Sequence, residues 1–267
     1  MVDCSEDDKK MHVNQLDEIV KKYKIDIIIN FAAESHVDNS ISGPDVFFKT
    51  NIIGTANLLE VARKYNVQFH QISTDEVYGI TTPEDMYDNF KLDVLNPSSP
   101  YSSSKASADL LTMAYYRTYG LKATISRCSN NFGPWQHPEK LIPKICECLK
   151  TQKQIPVYGN GEQKRQWVSV RQHNLSVLDI IEHGNFGQIY NISSDKYGYM
   201  TNVDLIHKFC EFANADPDKM IKHVEDRLGH DTSYFIYNYF YLMPNEYGDE
   251  IIMQDFKKTF EWYKENL

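Results

Sequence analysis

No apolar run in the sequence approaches the roughly 18 residues that span a bilayer, and no basic stretch leading into an apolar one opens it. A cytoplasmic protein with no membrane partner is therefore expected. Basic charge is in deficit. The 28 Lys and Arg against 37 Asp and Glu give a net charge of −9, which excludes a general nucleic-acid surface but allows a local basic pocket. Cysteines are few, odd in number and scattered (Cys4, Cys128, Cys146, Cys148 and Cys210), which fits reduced thiols. Cys146 and Cys148 fall two apart in a predicted helix, where side chains diverge, so no metal site is expected. Glycine is absent ahead of Gly43, so no glycine-rich phosphate-binding turn precedes it. What remains is an ordinary folded composition, 42% hydrophobic and 24% charged, in 267 residues, enough for a sizeable core.

"IDIIINFAA" (25–33) is a short β-branched run, read as a strand buried on both faces. A helical pattern with a leading proline follows over 44–65, then a strand at 67–73, a long helix at 98–120 and a strand at 122–128. Strand and helix alternate with short connections, which predicts an α/β fold with a doubly wound parallel sheet. Beyond Gly133 the pattern gives a helix over "PEKLIPKICECLK", a strand-turn-strand over "PVYGNGEQKRQWVSV" and a helix over "VLDIIEH". A strand at 188–194 and two further helices complete it. The sheet domain is placed at 1–133 and a smaller substrate-binding part at 134–267, with a crossover back to the sheet near 162–194.

The stretch "HQISTDEVYG" sets Asp75 beside Glu76 just where an apolar run ends. On a continuing strand these carboxylates would point to opposite faces; if the strand stops at Ser73, both can look into one crevice. Tyr101-x-x-x-Lys105 opens the long helix. Alone it could be a surface i,i+4 pair. An ammonium one turn from a phenol favours the phenolate, however, and makes a base for an alcohol proton. Oxidation of a sugar hydroxyl by NAD+ requires such a base, and the ketone it leaves acidifies the neighbouring C–H. Two adjacent acids can then divide the work of taking that proton and protonating a departing hydroxyl. Asp75 and Glu76 are thus expected to be the acid and base of a water elimination.

These residues sit among "NFAAESHVD", "TNIIGTANLLE", "SPYSSSKASADLL", "RCSNNFGP", "HPEKLIP", "VYGNGEQKRQW", "YNIS" and "HVEDRLGHD". Together the motifs resemble the nucleotide-sugar 4,6-dehydratases of the extended short-chain dehydrogenase/reductase superfamily, over about residues 25 to 234. The resemblance implies a Rossmann-like sheet, NAD retained through the cycle, and a hexose carried on a dTDP- or UDP-type nucleotide as substrate. It implies that Tyr101, assisted by Lys105 and Thr74, takes the O4 proton as C4 is oxidised. Glu76 then takes the C5 proton and Asp75 protonates the departing C6 hydroxyl. Return of the hydride from NADH to C6, with a proton to C5, would leave a 4-keto-6-deoxy sugar nucleotide and regenerated NAD+. Ala32, Ala33, Thr50 and Ser73 would join Tyr101 and Lys105 around the cofactor. Ser35, His36 and Asn130 would line the sugar. Asn131, Glu139, Lys140, Leu141, Arg165, Arg227 and His230 would hold the pyrophosphate and nucleoside. The plainer alternatives are surface salt bridges for Arg165 and Arg227 and a packed histidine for His36. A homodimer through helices 44–65 and 99–119 is implied too. Apolar residues beyond one inward stripe, among them Phe47, Phe48, Ile52, Leu58, Leu111, Met113, Tyr115 and Tyr116, favour it.

The pattern also departs from the family, which opens with a strand, a G-x-x-G-x-x-G turn and a helix that seat the NAD pyrophosphate. Roughly sixty residues of that opening, by the usual length of a βαβαβ half, have no counterpart here. The 25–31 strand is expected to present a bare edge, and the chain from Met1 to Leu267 on its own is expected neither to hold NAD tightly nor to turn over. Arg171-Gln172 replace the family's usual Asp-Asp pair, and 235–250 lacks its lysine-rich run. Two other functions stay open: a non-catalytic relative that binds a sugar nucleotide or a partner chain, and a C4 epimerase. The first is favoured by the missing turn. The second needs the Tyr-Lys pair but has no use for the acid pair.

Overall fold

Strand β1 (Ile27–Asn30) lies at one edge of a four-stranded sheet, beside β2 (Gln68–Thr74), β3 (Ala123–Cys128) and β7 (Ile189–Ile192), in that order. The computed structural model describes residues 6–85, 94–226, 230–237 and 249–267. The chain divides into two units. The first comprises Met1–Val77, Pro97–Arg127 and Ile180–Tyr190, and the second Tyr78–Asn96, Cys128–Asp179 and Asn191–Leu267.

In the first unit β1 runs parallel to β2, with Ile27 opposite Gln68 and Asn30 opposite Gln71. The expected burial of this strand on both faces does not hold: Ile27, Ile28 and Ile29 are only half-buried. Among the described strands β1 has a neighbour on one side alone, so it is a sheet edge and not a central strand. Helix α1 (Glu6–Tyr23) packs Val20 against Val61 and Val67, in a small cluster completed by Leu16, Ile25, Ile28 and Tyr65. The 44–65 segment starts as expected with Pro44 in its first turn, but it is not one regular helix. A first turn at Pro44–Phe47 leads into a π-helical stretch, Phe48–Ile53, before α-helix resumes over Gly54–Tyr65.

The long helix spans Pro100–Tyr119. Ser99 caps it by accepting from the Ser102 N–H, the Ser102 hydroxyl accepts from the Ser99 N–H, and Pro100 occupies the first position. Gly120, at φ +67°, ends it in the left-handed conformation that glycine adopts without strain. Strand β3 follows and is buried at all six positions.

The second unit has its own core, in which Phe132, Ile145, Phe209 and Phe256 meet and the Phe132 and Phe256 rings stack at 4.3 Å. β4 (Asn130–Phe132) pairs in parallel with β6 (Lys164–Ser169), and β6 pairs antiparallel with β8 (Tyr199–Thr201). The two strands of the expected strand-turn-strand form but do not pair with each other. β5 (Ile155–Tyr158) instead pairs with β9 (Ile221–Val224). Gly159 and Gly161, at φ +56° and +75°, carry the chain from one sheet into the other. Cys146 and Cys148 are both buried on the helix Leu141–Thr151, and burial pushes the Cys146 thiol up to about 12. No described helix is long and apolar enough to cross a membrane.

Candidate active site

β2 ends at Thr74, one residue later than the pattern suggests, and a 3-10 turn takes over at Asp75–Tyr78. That turn frees the two acids from strand alternation. The Thr74 hydroxyl sits between them, donating to Asp75 Oδ1 at 3.2 Å and accepting from the Glu76 N–H at 3.3 Å. Asp75 is 1% exposed, while Glu76 is only part-buried. One carboxyl is thus enclosed and its neighbour reaches solvent.

Tyr101 and Lys105 are both buried, at 8% and 5% exposure, which rules out the surface i,i+4 pair. The Lys105 ammonium donates to the Ile72 carbonyl at 2.6 Å, so the helix is tied to the last turn of β2. The Tyr101 ring meets Phe47 edge-on, with centroids 6.4 Å apart. Ser73 is buried on the same strand end, and Thr50 lies on the π-helical stretch. Ala32 and Ala33 follow β1, the first exposed and the second half-buried. Ser35 is exposed. His36 caps the short helix Val37–Ser42, its Nδ1 accepting from the Asn39 N–H at 3.3 Å.

One further group on this helix was legible and went unread. Tyr101, Lys105 and Asp109 repeat every four residues, so all three lie on one face. Asp109 is buried, and Arg127 Nε donates to its Oδ2 at 2.8 Å in an ion pair closed from water. Burial pushes the Asp109 carboxyl up, against the opposing pull of Arg127 and smaller ones from Ser73 and Lys105.

The residues expected on the nucleotide side fall in the second unit. Asn130 and Asn131 lie on β4 and Arg165 on β6. Asn131 Nδ2 donates to the Ser129 carbonyl at 3.2 Å, and its buried Oδ1 has no partner among the described residues. Arg165 is 5% exposed and is no surface salt bridge. It donates to the carbonyls of Lys164 and Asp231 at 2.8 and 2.9 Å and lies 4.4 Å over the Tyr234 ring. His230 Nδ1 bonds Asp226 Oδ1 at 2.7 Å. Lys140 is the N-cap residue of the helix beginning at Leu141, and Glu139 lies 3.7 Å from its ammonium. Arg227 lies outside the described residues.

A family model described as GDP-mannose 4,6 dehydratase matches residues 11–257. The chain belongs to that family. A curated relative, the dTDP-glucose 4,6-dehydratase of Mycobacterium tuberculosis (strain CDC 1551 / Oshkosh), is 41% identical over 249 residues, covering 90% of this chain and 72% of its own length. The dTDP-glucose 4,6-dehydratase of Streptomyces venezuelae, solved with NAD bound, superposes with a TM-score of 0.85 at 37% identity, over 95% of this chain and 77% of that one. A UDP-glucose 4-epimerase of Thermotoga maritima reaches a TM-score of 0.83 at 26% identity, over 95% of this chain and 82% of that one. The solved dehydratase and the solved epimerase therefore share this chain's fold. Only the site residues can separate them.

The fit to a dinucleotide is uneven along its length. Thr50, Ser73, Tyr101 and Lys105 offer hydroxyl and ammonium donors of the kind a nicotinamide ribose needs, and Ala32-Ala33, in the sequence motif after β1, bring only small side chains. No glycine-rich turn stands in the sequence for the pyrophosphate, since its first glycine is Gly43.

Proposed function

We propose that the chain carries the catalytic residues of an NAD-dependent 4,6-dehydratase acting on a nucleotide-activated hexose of the dTDP-glucose type. The observation that carries this reading is the acid pair, Asp75 and Glu76, in the 3-10 turn after β2, where the Thr74 hydroxyl donates to the Asp75 carboxylate and accepts from the Glu76 backbone N–H. A C4 epimerase has no step for those carboxyls. The identity to dTDP-glucose 4,6-dehydratases over most of the chain supports the same choice.

Tyr101 takes the proton from the sugar O4, with Lys105 holding positive charge one turn away. Glu76, open to solvent, takes the proton from C5 once C4 is a ketone. Asp75, enclosed, delivers a proton to the departing C6 hydroxyl, the division of roles that adjacent carboxyls in unlike surroundings permit. Bound NAD supplies the reversible hydride acceptor that this sequence needs. Ser35, His36 and Asn130 face the sugar, while Arg165, Asn131, Lys140, Arg227 and His230 take the nucleoside diphosphate. The protein works in the cytoplasm as a homodimer. Of the apolar residues behind the dimer expectation, Phe47 and Met113 turn out to be core, at 0% and 9% exposure. Leu58, Leu111, Tyr115 and Tyr116 pack against a core cluster, and of the expected set only Phe48 is exposed, at 40%. Val46, Ile53 and Leu110, on the same segments and likewise exposed, support the reading beside it.

The test joins the glycine-rich segment of a curated relative ahead of residue 1, supplies NAD and dTDP-glucose, and identifies the product. A 4-keto-6-deoxy sugar nucleotide supports the proposal. A hexose inverted at C4, with its C6 hydroxyl kept, assigns the epimerase reading instead.

A further inference from the structure

Lys105 and Asp109 stand four residues apart on the long helix, where Cβ atoms lie about 5–6 Å apart. Both side chains are shut from water, at 5% and 1% exposure. An ammonium and a carboxylate so placed attract strongly, because little solvent screens them. The Lys105 ammonium nevertheless donates to the Ile72 carbonyl at 2.6 Å, at the end of β2. The Asp109 carboxylate takes its charged hydrogen bond from β3, where Arg127 Nε donates to Oδ2 at 2.8 Å.

The carboxylate keeps room for a second donor. Its Oδ1 is buried and has no partner in hydrogen-bond geometry among the described residues. Burial opposes the charge on Asp109, Arg127 does most to favour it, and the Ser73 hydroxyl and the Lys105 ammonium add to that. Lys105 thus acts on Asp109 as a charge at a distance, while its own hydrogen bond goes to β2.

The sum of these charges bears on Tyr101, one turn before Lys105. Two cations and one anion leave one net positive charge, and a positive neighbour makes a phenol more acidic. Without Arg127 the ammonium and the carboxylate sum to zero, and Lys105 is the cation left to satisfy Asp109. Moving there would take the ammonium off the Ile72 carbonyl and give the phenol a neutral pair for a neighbour.

We propose that Arg127 is a positioning residue that keeps Asp109 from capturing the Lys105 ammonium, an inference that rests on reading Tyr101 and Lys105 as the base and its helper. Arg127 acts through Asp109 and not on the reacting atoms. By occupying the carboxylate it leaves Lys105 on the strand end and one positive charge uncompensated.

The test uses the whole chain without NAD and reads the Ile72 carbonyl carbon by NMR through the Ser73 N–H. Lys105→Met supplies the position of that signal with the ammonium gone, the Gln71 amide still donating to the same oxygen. In Arg127→Gln, whose amide fills space but leaves the carboxylate without a countercharge, the signal should move most of the way to the Lys105→Met position. In Asp109→Asn, and in Asp109→Asn combined with Arg127→Gln, no carboxylate is there to capture Lys105, so the signal should stay with the parent. A pair that merely braced β3 against the helix would move the signal in all three variants or in none, and either pattern overturns the proposal. Bound ligands stabilise a folded form. If Arg127→Gln does not fold alone, it is therefore read with NAD, dTDP-glucose and a grafted glycine-rich segment. NADH should then form about tenfold or more slowly than in the double variant, and equal rates would overturn the proposal. The carbonyl signal does not depend on which residue is the base. Should Tyr101→Phe still form NADH, the base assignment fails while the placement of Lys105 is decided by that signal alone.

Discussion

Lys105 donates to the carbonyl of Ile72 at 2.6 Å, so the helix that carries the Tyr-Lys pair is fastened to the strand end that carries the acid pair. Ile72 is three residues from Asp75, and Tyr101 is four from Lys105. Both halves of the proposed chemistry are therefore set by short, stiff pieces of chain, a strand end with its 3-10 turn and the first turns of a capped helix. Geometry of this kind is what general acid-base catalysis requires before any tuning of proton affinity.

Tyr101→Phe and Glu76→Gln should fail at different steps. Without the phenol there is no base for O4, so mixing with NAD and substrate should give no NADH absorbance. Without the Glu76 carboxylate C4 oxidation should persist, with elimination and C5 exchange slowed by about 100-fold or more. Rapid mixing of the chain with a grafted glycine-rich segment reads both. Loss of oxidation in both variants would show that the roles are misassigned.

The spacing of the proposed catalytic residues was readable because it is local. Asp75-Glu76 and Tyr101-x-x-x-Lys105 each fall within one turn of chain, and the strand end and capped helix follow from composition around them. Asp109 was equally readable, four residues beyond Lys105, once a buried Arg127 is granted as its partner. The winding of Phe48–Ile53 was not, because a π-helical stretch leaves no mark in hydrophobic periodicity. Arg165 was placed correctly on a strand, but its stacking on Tyr234 depends on a long-range contact that spacing does not reveal. β1 does lie at the bare edge expected of the 25–31 strand, but its half-buried isoleucines escaped for a related reason. An apolar run looks alike at the edge and at the centre of a sheet, because only its neighbours differ.

The Asp109–Arg127 pair should behave as a buried ion pair. Arg127→Leu strands a carboxylate at 1% side-chain exposure and should cost about 3–5 kcal/mol in urea unfolding. Replacing both residues with apolar ones should cost clearly less. Equal losses in the single and double variants would contradict the pairing.

His173 gives stability an acid limb. Burial lowers its pKa from 6.5 to about 4. The unfolded chain therefore binds this proton more readily than the folded one. The contribution is intact above pH 6.5, falls as pH drops from 6.5 towards 4, and levels off below. The loss should reach roughly 3 kcal/mol. His173→Gln should flatten that limb, as read from unfolding midpoints across the range, and an unchanged slope would reject the assignment.

The exposed side chains of Val46, Phe48, Ile53 and Leu110 should be covered by a second copy. Light scattering should give twice the chain mass of 31.1 kDa. Phe48→Glu with Leu110→Glu should give the monomer, since each charge would be buried unpaired in the interface. A folded parent that remains monomeric at micromolar concentrations would remove the dimer from the account.

The central claim is that one site oxidises C4 and then eliminates across C5 and C6 through separate acid and base residues. Its most direct test is turnover of dTDP-glucose in deuterium oxide by the chain with a grafted glycine-rich segment and bound NAD, with the product read by NMR. The account predicts a 4-keto-6-deoxy sugar nucleotide carrying deuterium at C5, because the proton taken by Glu76 exchanges with solvent before the cycle closes. A product that keeps its C6 hydroxyl and shows no deuterium at C5 would contradict it.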